Sequence, residues 1–152
     1  MTAYFECRTR AAMPPHILFD RARSIDVHKE SLAKSKEKAV AGITSGLINL
    51  GEEVTWRAWH FGLPFRMTSR ITEMEYPQYF IDEQVRGPFN TFRHVHKFQR
   101  ENDGTMMIDE IEFEAPFGAL GRLTARLVLK PYLQDLIQSR NHFLASAPTS
   151  NF

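Results

Sequence analysis

The sequence predicts an α+β fold: one strand, two short helices, a curved antiparallel sheet of about six further strands, and a long C-terminal helix enclosing a cavity. Three observations predict it. Between residues 53 and 114, strand-length blocks of alternating residues end on turn signals: Gly62-Leu63-Pro64, Gly87-Pro88 and Asn102-Asp103-Gly104. Beyond residue 118 the period changes, and Leu120, Leu123, Leu127, Leu133, Leu136, Ile137 and Leu144 recur at helical spacing. Finally, one strand places His94 and His96 between Phe92 and Phe98 on a single face. A solid core would carry Val or Ile there. An inward polar pair predicts a lined cavity, and a cavity predicts a ligand.

The elements follow in order. Residues 3–12 alternate Phe5, Cys7, Thr9 and Ala11 against Glu6, Arg8 and Arg10, which is a strand. Pro14 and Pro15 end it, and Pro15 suits the first turn of a helix over 16–23. Ser24 or Asp26 caps a second short helix reaching about Ala33. Residues 34–38 form a solvated charged turn, and 38–43 a short strand. Gly42, Gly46 and Gly51 mark a tightly turned loop. Strands follow over 53–61, 65–74, 79–86, 89–100 and 105–114. A helix of about 25 residues closes the chain, its leucine stripe expected to face the sheet. Pro131 inside it removes a backbone hydrogen bond and predicts a kink or a split. The tail from Ser146 is expected to fray.

Composition excludes several classes. At 152 residues the length suits one domain. Nineteen basic against eighteen acidic residues leave a net charge of +1, which gives no reason to invoke nucleic acid or an anionic membrane. The single cysteine, Cys7, forms no internal disulfide, so a reducing cytoplasm is the expected location. No leader-like or membrane-spanning stretch is present in this sequence. The glycine spacing from Gly46 to Gly51 mimics a phosphate loop, but Glu52 and Glu53 follow and would repel phosphate. No cofactor motif is found, and none is expected.

The chain resembles the START-like (SRPBCC) superfamily with its helix-grip fold, in a branch of small bacterial ligand-binding members. The resemblance spans roughly residues 3–145. It is carried by Phe80-Ile-Asp82-Glu-Gln84-Val-Arg-Gly87-Pro88-Phe89, by His94-Val-His96-Lys-Phe98, and by Gly104-Thr105 with Asp109 and Ala115-Pro116-Phe117-Gly118. It implies a small hydrophobic ligand (lipid, quinone or polyketide-like) held between sheet and helix. Some relatives are cyclases or dehydratases. The superfamily shares no universal catalytic residue, so none is carried over.

The candidate binding residues are His60, Met67, Ser69, Asp82, Gln84, His94, His96, Asp109, Ile111 and Phe113. Periodicity alone turns Asp82 and Gln84 outward, because Ile81 and Val85 oppose them; the resemblance turns them inward. Asp109 shares a face with Met107, Ile111 and Phe113, so it either pairs with a histidine and holds it charged or sits in a wet pocket. The plainer alternative is a structural hydrogen bond. A metal at His94 and His96 needs a third ligand from His60 or Asp109, and two ligands at this spacing are thin grounds, so no metal is expected. Glu101 roughly resembles the cupin spacing, but the downstream cupin histidine is missing. Binding is preferred over acid–base chemistry by the same groups. Trp56 reads as wall or core. Trp59, on the opposite face, packs on a loop or a partner chain, which leaves a homodimer open.

Overall fold

A computed structural model describes residues 2–146. Seven strands form one antiparallel sheet in the order β1-β7-β6-β5-β4-β3-β2. β1 (Ala3–Ala11) pairs with β7 (Gly104–Glu114), so the first strand closes the sheet against the last. Two helices, α1 (Pro15–Arg23) and α2 (Ile25–Ser31), carry the chain to the far edge. From there β2 (Lys38–Gly42), β3 (Glu53–His60), β4 (Leu63–Glu75), β5 (Tyr79–Arg86) and β6 (Thr91–Glu101) return as a meander. Irregular pairing in β2 and twice in β4 marks bulges, the features that bend a sheet.

Local chemistry explains the joints. Pro15 opens α1, and the Ser24 hydroxyl caps α2 by accepting the Val27 N–H at 3.2 Å. The β3–β4 turn falls on Phe61-Gly62, one residue earlier than the sequence suggests. Both residues have positive φ, the primed geometry that matches strand twist. Pro64 therefore sits inside β4, where β5 has not yet begun to pair and a missing donor is tolerated.

The terminal helix is three pieces: α3 (Gly118–Thr124), a π-helical stretch (Ala125–Leu129) and α4 (Lys130–Ser146). The π stretch lies just before Pro131, which supplies no N–H and crowds the carbonyl four residues back. It also changes which residues face inward. Gly121, Ala125, Leu129, Leu133, Ile137 and Asn141 line up four apart. An α-helix advances such a row by about 40° per step, and the wider π turn offsets that drift. The expected stripe consequently fails at its start: Leu120, Leu123 and Leu127 stand 68%, 55% and 62% exposed. The residues from 147 onward, and with them most of the expected frayed tail, lie outside the described part.

Two apolar clusters pack between sheet and helices. One joins Leu18, Phe19 and Ile25 of α1 and α2 to Phe80, Phe98, Met107 and Leu144. The other joins Phe5, Cys7, Phe92, Ile111 and Phe113 to Ala125 and Ile137. Strand β6 contributes Phe98 to the first and Phe92 to the second, and its two intervening inward residues are His94 and His96.

Candidate functional site

A cavity of about 630 Å³ lies between the sheet and the terminal helix, a size that suits a small organic molecule. Its wall is mostly apolar: Val54, Trp56 and Ala58 from β3, Phe65, Met67 and Ile71 from β4, and Leu129, Leu133 and Ile137 from the helix. Phe61, Phe117 and Leu120 line it and are exposed, so they frame the mouth.

The floor is polar. His94 and His96 are 5% and 3% exposed, and their rings stack at 3.6 Å between centroids. The register places His96 opposite Asp109 on β7 and opposite Phe80 on β5, while His94 stands opposite Asp82. His94 Nε2 lies 2.7 Å from Asp109 Oδ1, and His96 Nε2 lies 2.6 Å from Asp82 Oδ2. His96 Nδ1 faces Asp109 Oδ1 at 3.3 Å. From α4, Arg140 Nη1 donates to Asp109 Oδ1 at 3.3 Å, and Asn141 Nδ2 donates to Asp109 Oδ2 at 2.7 Å. Asp109 is thus wholly enclosed, with both oxygens bonded. Burial alone would raise its pKa, but the His94 and His96 hydrogen bonds and the Arg140 charge outweigh burial and hold the carboxyl well below its ordinary range.

His94 behaves differently from the expectation that its carboxylate partner would hold it charged. Burial, with the neighbouring His96, pushes it down to about 4 despite Asp109. The tautomer follows. An ionised carboxylate only accepts, so His94 Nε2 carries the proton and Nδ1 is a bare lone pair. That Nδ1 has no hydrogen-bond partner among the described residues, and His94 lines the cavity.

A second polar station stands in the same cavity. His28 Nε2 lies 3.2 Å from Glu37 Oε1, and its ring stacks on Trp56 at 4.1 Å. Glu37 Oε2 is buried without a hydrogen-bond partner. His60 Nδ1 bonds the Tyr132 hydroxyl; burial lowers the histidine and raises the tyrosine.

Of the ten candidate residues, the structure puts His60, Met67, Ser69, Asp82, His94 and His96 on the cavity wall. Four do not line it. Asp109 lies behind the histidines, in contact with both rings. Ile111 and Phe113 are fully buried in the second apolar cluster. Gln84 turns to the β5–β6 connection instead, where its side chain bonds the Phe89 carbonyl at 2.8 Å and the Phe89 N–H at 3.2 Å. Gly87 makes room for it: a Cβ there would stand 2.4 Å from Gln84 Oε1.

Sequence reasoning missed Arg140, Asn141, Tyr132, His28 and Glu37. The helix pair had a signal. Arg140 and Asn141 interrupt the inward stripe between Ile137 and Leu144, where apolar residues are the rule.

The sheet order, the closing of β1 on β7, and the long helix over a cavity agree with solved structures. The chain has the helix-grip fold. TTHA0849 from Thermus thermophilus superimposes with a TM-score of 0.74 at 18% identity, over 95% of this chain and 100% of that one. The Zhui aromatase/cyclase from a Streptomyces species gives 0.76 at 10% identity, over 95% and 92%. The major latex-like protein 151 of Panax ginseng gives 0.72 at 13%, over 97% and 99%. No family model matches the chain, and no curated protein matches it in sequence. At such identities the helix-grip likeness speaks for the fold alone. Among the described residues, no helix is long and apolar enough to cross a membrane.

Proposed function

We propose that this chain binds a small, largely hydrophobic molecule whose polar end is a hydrogen-bond donor, such as a hydroxylated ring system. One observation carries the reading: an apolar cavity of about 630 Å³ ends on acceptors that the protein leaves free. His94 Nδ1 presents a lone pair, and Asp82, held below its ordinary pKa by the His96 hydrogen bond against the opposing effect of burial, presents a carboxylate. The Arg140 guanidinium is already engaged by Asp109, Asn141 and the Ala22 carbonyl, so it is not offered to an anion. A carboxylate or phosphate head would meet Asp82 unpaired, and burying that contact is costly. A hydroxyl donates to it.

Acid–base catalysis by the same groups is the competing reading, and one solved neighbour is described as an aromatase/cyclase. The chemistry of His94 argues for binding. A base that holds its proton only below about 4 is mismatched to proton abstraction near neutral pH.

Matched ring compounds test the proposal. 2-Naphthol is expected to raise the melting temperature and appear as a one-to-one complex in native mass spectrometry. 2-Naphthoic acid is expected to do neither. Changing His94 and His96 together to Phe removes the preference. Tighter binding of the carboxylate would overturn the assignment of the polar end.

A further inference from the structure

We propose that Asp82, His94 and His96 form a site for one divalent first-row transition metal ion, such as zinc or ferrous iron, with an open coordination position toward the cavity. The inference shares the polar floor with the ligand reading above but does not depend on that ligand being bound.

Three ligand atoms, one from each residue, lie within 4.8 Å of one another, and all three residues line the cavity. Tetrahedral ligands about 2.0–2.1 Å from zinc stand about 3.4 Å apart, so a small contraction completes the set. Two imidazoles and one carboxylate form the donor set that suits zinc or non-haem iron, with positions left for water or substrate. The sequence offered His60 or Asp109 as third ligand. The fold instead brings Asp82 from β5 beside β6, while His60 bonds Tyr132 and Asp109 lies behind both rings.

The outer partners are also in place. Metal-bound histidines characteristically donate their second N–H to a carboxylate, which fixes the tautomer and the ring. Asp109 Oδ1 faces His94 Nε2 at 2.7 Å and His96 Nδ1 at 3.3 Å. Asp109 therefore backs the His94 ring and leaves its Nδ1 for an ion; His96 Nδ1 accepts from Arg140 Nη2 at 3.5 Å in the free site, so loading moves the His96 proton from Nε2 to Nδ1, where Asp109 accepts it, and frees Nε2 for the ion. Arg140 and Asn141 in turn hold Asp109. Without the ion, His96 Nε2 and Asp82 share a hydrogen. The ion takes that hydrogen's place. Charge points the same way, since Asp82 and Asp109 bring two negative charges and Arg140 one positive. A hydroxyl end is accepted by both forms: it donates to Asp82 in the free site and coordinates through oxygen in the loaded one.

The test uses the full chain, stripped by chelator and dialysed. Titration with cobalt(II) is followed by visible absorption, and titration with zinc by calorimetry and melting temperature. One equivalent of either ion is expected, with saturating cobalt bands and a raised melting temperature. His94→Ala and Asp82→Asn should each weaken binding at least about tenfold, while His16→Ala and His142→Ala on the surface leave it unchanged. Should the floor variants fail to fold, imidazole NMR signals of the unaltered chain decide: zinc must shift those of His94 and His96 and spare those of His16. Absence of saturable binding, or binding indifferent to His94→Ala and Asp82→Asn, overturns the site. Naphthol binding measured in chelator separates the two claims, because it survives if only the metal inference fails.

Discussion

The Asp109 carboxylate holds the His94 imidazole across the β6–β7 pair at 2.7 Å, and Arg140 and Asn141 of the last helix bond it from the other side. One enclosed side chain thereby ties the centre of the sheet to the element that covers it. Asp109→Asn removes the charge and leaves Arg140 buried without its counter-ion. Breaking a buried pair this way costs about 3–5 kcal/mol, to be read by urea unfolding.

The same residue sets an acid response. A carboxyl whose pKa is depressed on folding adds stability above its unfolded value, and that stability drains as pH falls through the folded value. Asp109 is so depressed. The stability gap between the unaltered chain and Asp109→Asn should be full near neutrality and shrink below about pH 4, where unfolded carboxyls begin to bind protons. A gap that holds constant into strong acid contradicts the pairing.

Gly121 packs tightly against the turn that leads into its own helix. A Cβ there would stand 1.7 Å from the Pro116 carbonyl oxygen. Gly121→Ala is expected to cost at least about 1–3 kcal/mol by overpacking. Leu123→Ser, on the exposed side of the same helix, should change stability by no more than about 0.5 kcal/mol. Equal effects in thermal unfolding would mean the helix sits in a different rotation.

The element order was legible because period-two and helical patterns stand apart in this chain and its turns carry Gly, Pro or Asn-Asp. The leucine stripe misled because a sequence pattern assumes constant helical pitch, and the π turn before Pro131 leaves Leu123 and Leu127 outward and Leu120 at the exposed cavity mouth. His94 and His96 were visible as polar residues at buried strand positions. Asp82 was ambiguous because Ile81 is buried too, at 4% exposure, so β5 is apolar on both faces and alternation cannot orient it. Arg140 and Asn141 were readable as breaks in an apolar row, but their partner 31 residues or more away was not. That pairing depends on how the terminal helix docks over the sheet, which no local pattern encodes.

Cys7 should be inert in the folded protein. It is 4% exposed, and burial, with Asp109 and Glu6, pushes the thiol up to about 11. Little thiolate exists near neutral pH, so a disulfide reagent should leave it unmodified until denaturant is added. Rapid labelling of the native chain would show that the β1–β7 edge opens.

The two tryptophans should report differently on ligand. Trp56 lines the cavity, whereas Trp59 is 40% exposed and does not line it. A bound aromatic compound is therefore expected to change the fluorescence of the unaltered chain and of Trp59→Phe, but not of Trp56→Phe. Signal loss in Trp59→Phe alone would place the ligand on the outer face.

The most direct measurement fills the hollow. Ala58 and Ser69 are small wall residues on neighbouring strands, so Ala58→Phe with Ser69→Phe should occupy cavity space while the apolar clusters stay intact. Binding of a neutral naphthylamine dye is titrated by fluorescence in both proteins, with melting curves confirming the fold. The account predicts one saturable site in the unaltered chain, weakened at least about tenfold, or 1.4 kcal/mol, in the filled one. No saturable binding in the unaltered chain, or equal affinity in the filled variant, would contradict it.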